Sequence, residues 1–334
     1  MRGTTTISSR VVTFAVAVYG VAAVCLWLVI ELLTDRAWPA TLIAFGPRWP
    51  AAVPLLPLAI LVLVVASGRQ RAVLILFLVL TGIVLVVGFM DFRLGLARGP
   101  DNPIKRIRIM TYNLGGSGVT AEALDRLLKV EAVDIAVLQE CPFYDYSPAR
   151  LGWKFFYGGD LCLQSRYPFS VLDVPDPDEV WRRHTLEPLR FTIEGPTGRL
   201  QLLNVHLDTI RGGVNALAAR GWRGLPEFAF NRDESKLESQ AARDRVNLST
   251  EPLIVAGDFN LPVESAIYRA SWGDLTNVFS RCGRGLGHTK FTQLFGIRID
   301  HVLTSDHWTC TEARVLSTSF GGDHAPLVVD VRLR

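Results

Sequence analysis

Three long stretches near the start of the chain carry no Asp, Glu, Lys or Arg: residues 11–30, 51–67 and 72–90. Each comes close to the roughly 20 apolar residues that cross a bilayer as a helix. In hydrocarbon a helix satisfies all of its own backbone groups, so about three transmembrane helices are the expectation. Two other readings are a cleaved signal peptide for the first stretch and buried core helices for the others. Signal-peptide cores run to about 7–15 residues before a small-residue cleavage site, and Glu31-Leu32-Leu33-Thr34 offers no such site. The middle stretch is interrupted at its start by Pro54 and Pro57.

After Met90 the pattern changes. Residues 91–103 (DFRLGLARGPDNP) form a polar linker punctuated by Gly and Pro, which puts a domain boundary near residue 101. Beyond it, short β-branched runs alternate with turn residues. The expected strands are 105–112, 134–139, 160–165, 189–194, 199–206, 252–257, 298–304, 313–317 and 326–332. Expected helices are 120–131 and 232–246, the second with Leu237, Ala241 and Val246 on its apolar face. Residues 210–231 show no period and read as a loop. Many strands with few helices favour two packed sheets flanked by helices over a doubly wound parallel sheet.

Charge divides along the same boundary. Residues 1–100 hold eight Arg, no Lys and three acids, which leaves 27 basic and 29 acidic residues after residue 100. The basic balance therefore belongs to the apolar region. The second half lacks the basic footprint of a tight, general nucleic-acid binder. Arg2, Arg10, Arg69 and Arg71 flank the apolar stretches, and by the positive-inside rule they lie on the cytoplasmic side. That orientation puts residues 101–334 outside the cytoplasm. Cys141, Cys162, Cys282 and Cys310 fit no metal-binding spacing. They are either four thiols or two disulfides in one of three pairings.

Polar residues recur at the ends of the apolar strands: Asn113, Glu140, His206 with Asp208, Asp258 with Asn260, Asp300, and Asp323 with His324. Any one of them could be a turn former or a helix cap. Together they can line one rim, where metal binding and proton transfer belong. Carboxylates and amides suit a hard cation, Mg²⁺ or Mn²⁺. Such an ion polarises a phosphoryl oxygen.

These residues carry a family resemblance. YN at 112–113, QE at 139–140, SRYP at 165–168, NVHL at 204–207, GDFN at 257–260, RIDHVL at 298–303 and GDHAPL at 322–327 resemble the ordered motifs of the endonuclease/exonuclease/phosphatase superfamily. Deoxyribonuclease I, apurinic endonucleases, neutral sphingomyelinases and inositol polyphosphate phosphatases belong to it. The resemblance implies a four-layer α/β sandwich of two packed mixed β-sheets with the site at one edge. It implies Glu140 as main metal ligand, supported by Asn113, with Asp323 helping to hold the metal. Asp258 would position or deprotonate water, and Asn260 would orient the phosphate or water. His324 would contact the phosphate, oriented by Asp300. His206 matches a second histidine of the deoxyribonuclease and sphingomyelinase branches, yet no carboxylate partner for it stands out in the sequence. His301 is expected to be structural, and His184, His288 and His307 to lie on the surface or in loops, with His288 the one that could face the cleft.

The function expected is therefore a membrane-anchored, divalent-metal-dependent phosphoesterase acting on phosphodiester bonds, nuclease-like. Its partners would be a nucleic acid or lipid head group as substrate, and membrane lipid through the apolar stretches. The alternatives are a lipid or head-group phosphodiesterase or phosphatase, and a non-catalytic membrane scaffold of the same fold. A scaffold predicts losses among Glu140, Asp258, Asn260, Asp300 and His324, and none is lost. A transporter is disfavoured because the apolar stretches carry no charge.

Overall fold

A computed structural model describes residues 3–95, 106–115, 117–142, 152–158, 160–173, 188–246 and 251–334. His184 and most of the expected linker lie outside these residues. The chain divides into two compact units, Met1–Phe92 and Arg93–Arg334. The expected boundary at residue 101 lies a few residues later. Arg93–Leu94 (β1) already belongs to the second unit, paired with Arg284–Gly285 (β11).

In the first unit, helix Gly3–Leu33 is long and apolar enough, over Ser9–Leu33, to cross a membrane. So is Gly68–Phe89, which is α-helical to Ile83 and widens into a π-helix over Val84–Phe89. The middle stretch differs from expectation. Its α-helix covers only Leu55–Val65, and it reaches membrane-spanning length only together with helix Trp38–Phe45, from which the segment Trp49–Val65 is bent by 85° at the break before Trp49. A 3₁₀ turn at Trp49–Ala52 precedes helix Leu55–Val65. Pro50 and Pro54 lie at these starts, where a missing N–H is tolerated.

The second unit is built on two six-stranded mixed sheets. The first contains Arg106–Asn113 (β2), Ile135–Gln139 (β3), Lys154–Gly158 (β4), Leu161–Ser165 (β5), Trp308–Val315 (β15) and Leu327–Leu333 (β16). Their order is β15-β16-β2-β3-β5-β4. The second sheet contains Phe169–Asp173 (β6), Leu189–Gly195 (β7), Gly198–His206 (β8), Leu253–Asp258 (β9), Thr276–Asn277 (β10) and Asp300–Thr304 (β14). Its order is β10-β14-β9-β8-β7-β6. β2 pairs with β3, and β8 with β9, in parallel.

Side chains alternate across a strand, and that alternation builds the layers. Ile107, Ile109, Ile135, Val137, Leu200, Leu202, Ile254, Ala256 and Val302 point between the sheets and form one core. On the outer face of the first sheet, Met110, Tyr112, Ala136 and Leu138 pack on Leu124 and Leu128 of helix Ala121–Val130. Thr120 caps that helix, accepting from the Ala123 N–H. On the outer face of the second sheet, Leu203, Val205, Val255 and Leu303 pack on Ala242, Val246, Ile267 and Trp272. Helices therefore cover both outer faces, and the four-layer sandwich is present.

Two sequence expectations fail in one place. Residues 210–231 are not a loop: Arg211–Arg220 is a helix, and Leu225–Asp244 begins seven residues before the expected 232. A Cβ on Gly213 would lie 2.5 Å from the Phe228 Cα, and one on Gly224 would lie 2.4 Å from the Ala216 carbonyl carbon. Glycine permits the two helices to touch, although it weakens each one's helical signal. The buried face of the long helix also differs, because Leu237 and Ala241 are exposed. Ser235, Ser239 and Ala242 face inward, and the Trp272 Nε1–H donates to Ser239 at 2.9 Å.

Candidate active site

The alternation that makes the core also makes the site. Along the inner face β2 reads Ile107, Ile109, Thr111, Asn113, and β3 reads Ile135, Val137, Gln139. β8 reads Leu200, Leu202, Asn204, His206, and β9 reads Ile254, Ala256, Asp258. Each strand thus turns from apolar to polar at the same edge. Register places Asn113 beside Gln139, His206 beside Asp258, and Asp258 beside Asp300 at the start of antiparallel β14.

Beneath the rim, the buried Gln139 Nε2 donates to Asn204 Oδ1 at 2.9 Å, which joins the two sheets. Asn204 Nδ2 donates to the Leu138 and Cys162 carbonyls at 3.1 Å each. This pair accounts for the amides of the QE and NVHL motifs: a buried polar group must be paired, and here two satisfy one another. Gly257 has φ 149°, and a Cβ there would lie 1.9 Å from the Val205 carbonyl oxygen. The close approach of β8 and β9 at the rim therefore requires glycine at the first position of GDFN.

Above this layer the charged groups converge. Asn113 Nδ2 donates to Glu140 Oε1 and to Asp258 Oδ2, at 3.0 Å each, while its Oδ1 accepts from the Gly115 N–H. His324 Nε2 lies 3.6 Å and His206 Nε2 4.0 Å from the same Asp258 oxygen. Each imidazole is held from behind by its own carboxylate. His324 Nδ1 is 2.9 Å from Asp300, and His206 Nδ1 is 2.7 Å from Asp160. Asn260, at φ 50°, donates its backbone N–H to Asp258 Oδ1 and its side-chain amide to the Leu207 carbonyl.

Asp160 is the partner of His206 that the sequence did not reveal. It sits in the turn between β4 and β5, just before Leu161, and no motif marks it. The signal available was a lone acid opening an apolar strand, which is also the signal of an ordinary turn.

Burial alone would lower both histidines. For His206 the Asp160 hydrogen bond and the charges of Asp258, Asp160 and Glu140 override it and push the pKa up to about 9. For His324 the charges of Asp300 and Asp258 and the Asp300 hydrogen bond likewise raise it. Burial raises Asp258, reinforced by the Asp300 charge and opposed by both histidines. Burial would also raise Asp300, but the His324 charge and hydrogen bond hold it below the ordinary range. The set is thus two imidazoles that hold a proton more tightly than a free histidine does, facing a carboxylate of raised proton affinity.

Other expected residues fall as follows. His301 points to the outer face, its Nε2–H donating to the Leu261 carbonyl and its Nδ1 accepting from Asn277. Burial and Arg298 lower its pKa to about 4, so it stays neutral. Asp323 is half-exposed and forms an ion pair with Lys290 at 2.6 Å. His288 packs edge-on against Phe291, and His307 hydrogen-bonds Ser305 on the surface. The cysteines pair as Cys141–Cys162 and Cys282–Cys310.

The donor set fits a hard divalent cation. Glu140 presents a half-exposed carboxylate at the rim, tied through the Asn113 amide to Asp258. With its nitrogen turned to these carboxylates, Asn113 supports Glu140 rather than offering its own oxygen. Asp258, Asp300 and His324 also bring ligand atoms within 4.8 Å of one another. There the inner nitrogen of His324 is engaged by Asp300, so this trio is better suited to holding a proton.

The sequence matches the endonuclease/exonuclease/phosphatase family over residues 110–324. The chain belongs to that family and is a phosphoric ester hydrolase. Among solved structures it is similar to an endonuclease/exonuclease/phosphatase from Beutenbergia cavernae, with 20% identity, 69% of this chain and 72% of that one covered, and a TM-score of 0.47. It is also similar to the 3′ phosphatase NExo from Neisseria bound to product DNA hairpin (19%, 67% and 98%, 0.49). A third is an AP endonuclease from Leishmania major (16%, 73% and 94%, 0.48). No curated protein matches the sequence.

Proposed function

We propose that the chain is a membrane-anchored, divalent-metal-dependent phosphodiesterase, nuclease-like, with its catalytic unit outside the cytoplasm. One observation carries the chemistry: two imidazoles, each backed by its own carboxylate, face the same Asp258 oxygen beside Glu140. A diester needs stabilisation of the phosphoryl oxygens and a proton for the leaving oxygen, and two histidines, each held by a carboxylate that favours its protonated form, can supply both. Asp258, with its raised proton affinity, positions water and takes its proton. His324 donates to a non-bridging phosphoryl oxygen, held by Asp300. His206 delivers a proton to the leaving oxygen, held by Asp160. Asn260 orients the water or phosphate. Glu140, supported by Asn113 and helped by Asp323, would hold Mg²⁺ or Mn²⁺. The ion supplies positive charge that polarises the phosphoryl group and balances charge on the leaving oxygen.

Two apolar helices of membrane-spanning length support the anchor. Two disulfides support the exported orientation, since such bonds persist in oxidising compartments. The same helices favour a second reading, a phosphodiesterase of lipid head groups. Assaying the full chain in detergent with Mg²⁺ against DNA, RNA, sphingomyelin and inositol phosphates separates the two. Cleaved nucleic acid with intact lipid supports the nuclease-like reading, and released head group supports the other. For orientation, alkaline phosphatase and green fluorescent protein are each fused after Arg334. Fluorescence without phosphatase activity refutes the exported placement.

A further inference from the structure

The Cys141–Cys162 disulfide joins the two segments that bring acids to the rim. Cys141 directly follows Glu140, and Cys162 lies two residues after Asp160. The β3–β5 ladder ends at the pair Leu138–Cys162. Past that point the Glu140 backbone leaves strand geometry, at φ 48°. Cys141 then returns to the turn through its N–H, which donates to the Asp160 carbonyl at 3.0 Å. Asn204 ties the same strands one layer deeper, through the Leu138 and Cys162 carbonyls. At the rim itself, among the described residues, the disulfide and this backbone bond link the Glu140 segment to the Asp160 turn. Both sulfur-bearing residues are buried, so the link lies within the packed edge.

We propose that the Cys141–Cys162 disulfide is a positioning element for catalysis, fixing the Asp160 turn to the Glu140 segment so that Asp160 holds His206 at the reacting phosphate. This rests on the phosphodiesterase reading. The second disulfide provides an internal control. Cys282–Cys310 ties helix Val278–Cys282 to β15 beside the central core, and neither cysteine adjoins Glu140 or Asp160 in sequence. The two bonds close loops of similar length, with sequence separations of 21 and 28. By chain-closure entropy they stabilise the fold to a similar degree. Stability alone therefore predicts similar effects on removing either, whereas positioning predicts different ones.

The test uses the full chain in detergent, with Mg²⁺ and bis(p-nitrophenyl) phosphate as probe. Cys141→Ser with Cys162→Ser lowers kcat by about 10- to 100-fold, the scale of a misplaced catalytic group, with KM changed by less than about twofold. Cys282→Ser with Cys310→Ser lowers the melting temperature and leaves kcat within about twofold. Asp160→Asn lowers kcat strongly in the native background and much less once Cys141–Cys162 is gone, because coupled residues are not additive. Additive losses, or equal kcat losses from removing either disulfide, overturn the proposal. Should the first pair fail to fold, the Cys282→Ser/Cys310→Ser protein is reduced after folding with a phosphine. Intact mass then confirms the opened bond. A kcat that falls on opening and returns on reoxidation supports the proposal, and an unchanged kcat overturns it. A wild type that hydrolyses no phosphodiester overturns the parent reading and this one together, while turnover with additive effects overturns this one alone.

Discussion

Replacing Asp160 by Asn keeps the side chain's shape and removes its charge. His206 stands at about 9 against an ordinary 6.5, despite burial that would lower it. At 1.36 kcal/mol per pH unit, that rise is worth about 3 kcal/mol. The side chain is 11% exposed, so water screens it little. The Asp160 hydrogen bond is the largest of the raising causes, ahead of the charges of Asp258, Asp160 and Glu140. Removing Asp160 takes away that first raising cause and one of the charges, so His206 of the variant titrates below the wild-type value of about 9. The sign for stability follows from the raised pKa. The contribution of His206 is fully present below pH 6.5 and is lost as pH rises through about 9. The variant should therefore lose a part of that roughly 3 kcal/mol at pH 6 and almost nothing above pH 10. The assay is an NMR titration of ¹³C-labelled histidine rings in the full chain with chelator present, the His206 signal being assigned with His206→Gln. An Asp160→Asn protein whose His206 titrates at the wild-type value, or a wild type titrating at or below 6.5, refutes the reasoning.

Three further predictions concern the rim. Asn204→Leu strands the Gln139 amide and the Leu138 and Cys162 carbonyls. Each buried unpaired group costs about 1–3 kcal/mol, so chemical unfolding should show a loss of at least about 3 kcal/mol. An unchanged midpoint would contradict the cross-sheet bridge. Gly257→Ala places a Cβ against the Val205 carbonyl, so the yield of monodisperse protein on size exclusion should collapse, and normal yield argues against the close approach. Glu140→Gln should raise the Mg²⁺ concentration for half-maximal turnover by at least about tenfold with melting unchanged, and an unshifted Mg²⁺ dependence removes Glu140 as the ligand.

Much of this was legible in the sequence where one physical rule governed a residue. The apolar runs ending in Asn113, His206 and Asp258 announced strands whose last inward positions are polar, and period-two alternation carries that through to the site. The same rule, applied to Asp300 and His301, separates the pair into an inward acid and an outward structural histidine. What stayed hidden depended on contacts distant in sequence. Asp160 acquires meaning only when β5 lies next to β3 and the β4–β5 turn reaches His206. The helix Arg211–Arg220 is obscured by Gly212 and Gly213; the cost of Gly213 in an isolated helix is offset by its packing against Phe228. Leu237 looked like a core residue because it is apolar, yet the long helix buries its serines, since Ser239 receives the Trp272 N–H. The middle apolar stretch, which hydropathy alone drew as one span, begins its α-helix only after Pro54, and the 85° bend lies before Trp49, outside the stretch.

If Asp258 and His324 hydrolyse a phosphodiester with the help of a divalent cation, the full chain turns over bis(p-nitrophenyl) phosphate. Chelator should abolish that turnover, and Mg²⁺ or Mn²⁺ should restore it. Asp258→Asn and His324→Gln should each lower kcat by about 10²- to 10⁴-fold while the protein stays folded. Near-normal kcat in either variant, or turnover indifferent to chelator, would show that these residues and the ion do not carry the reaction.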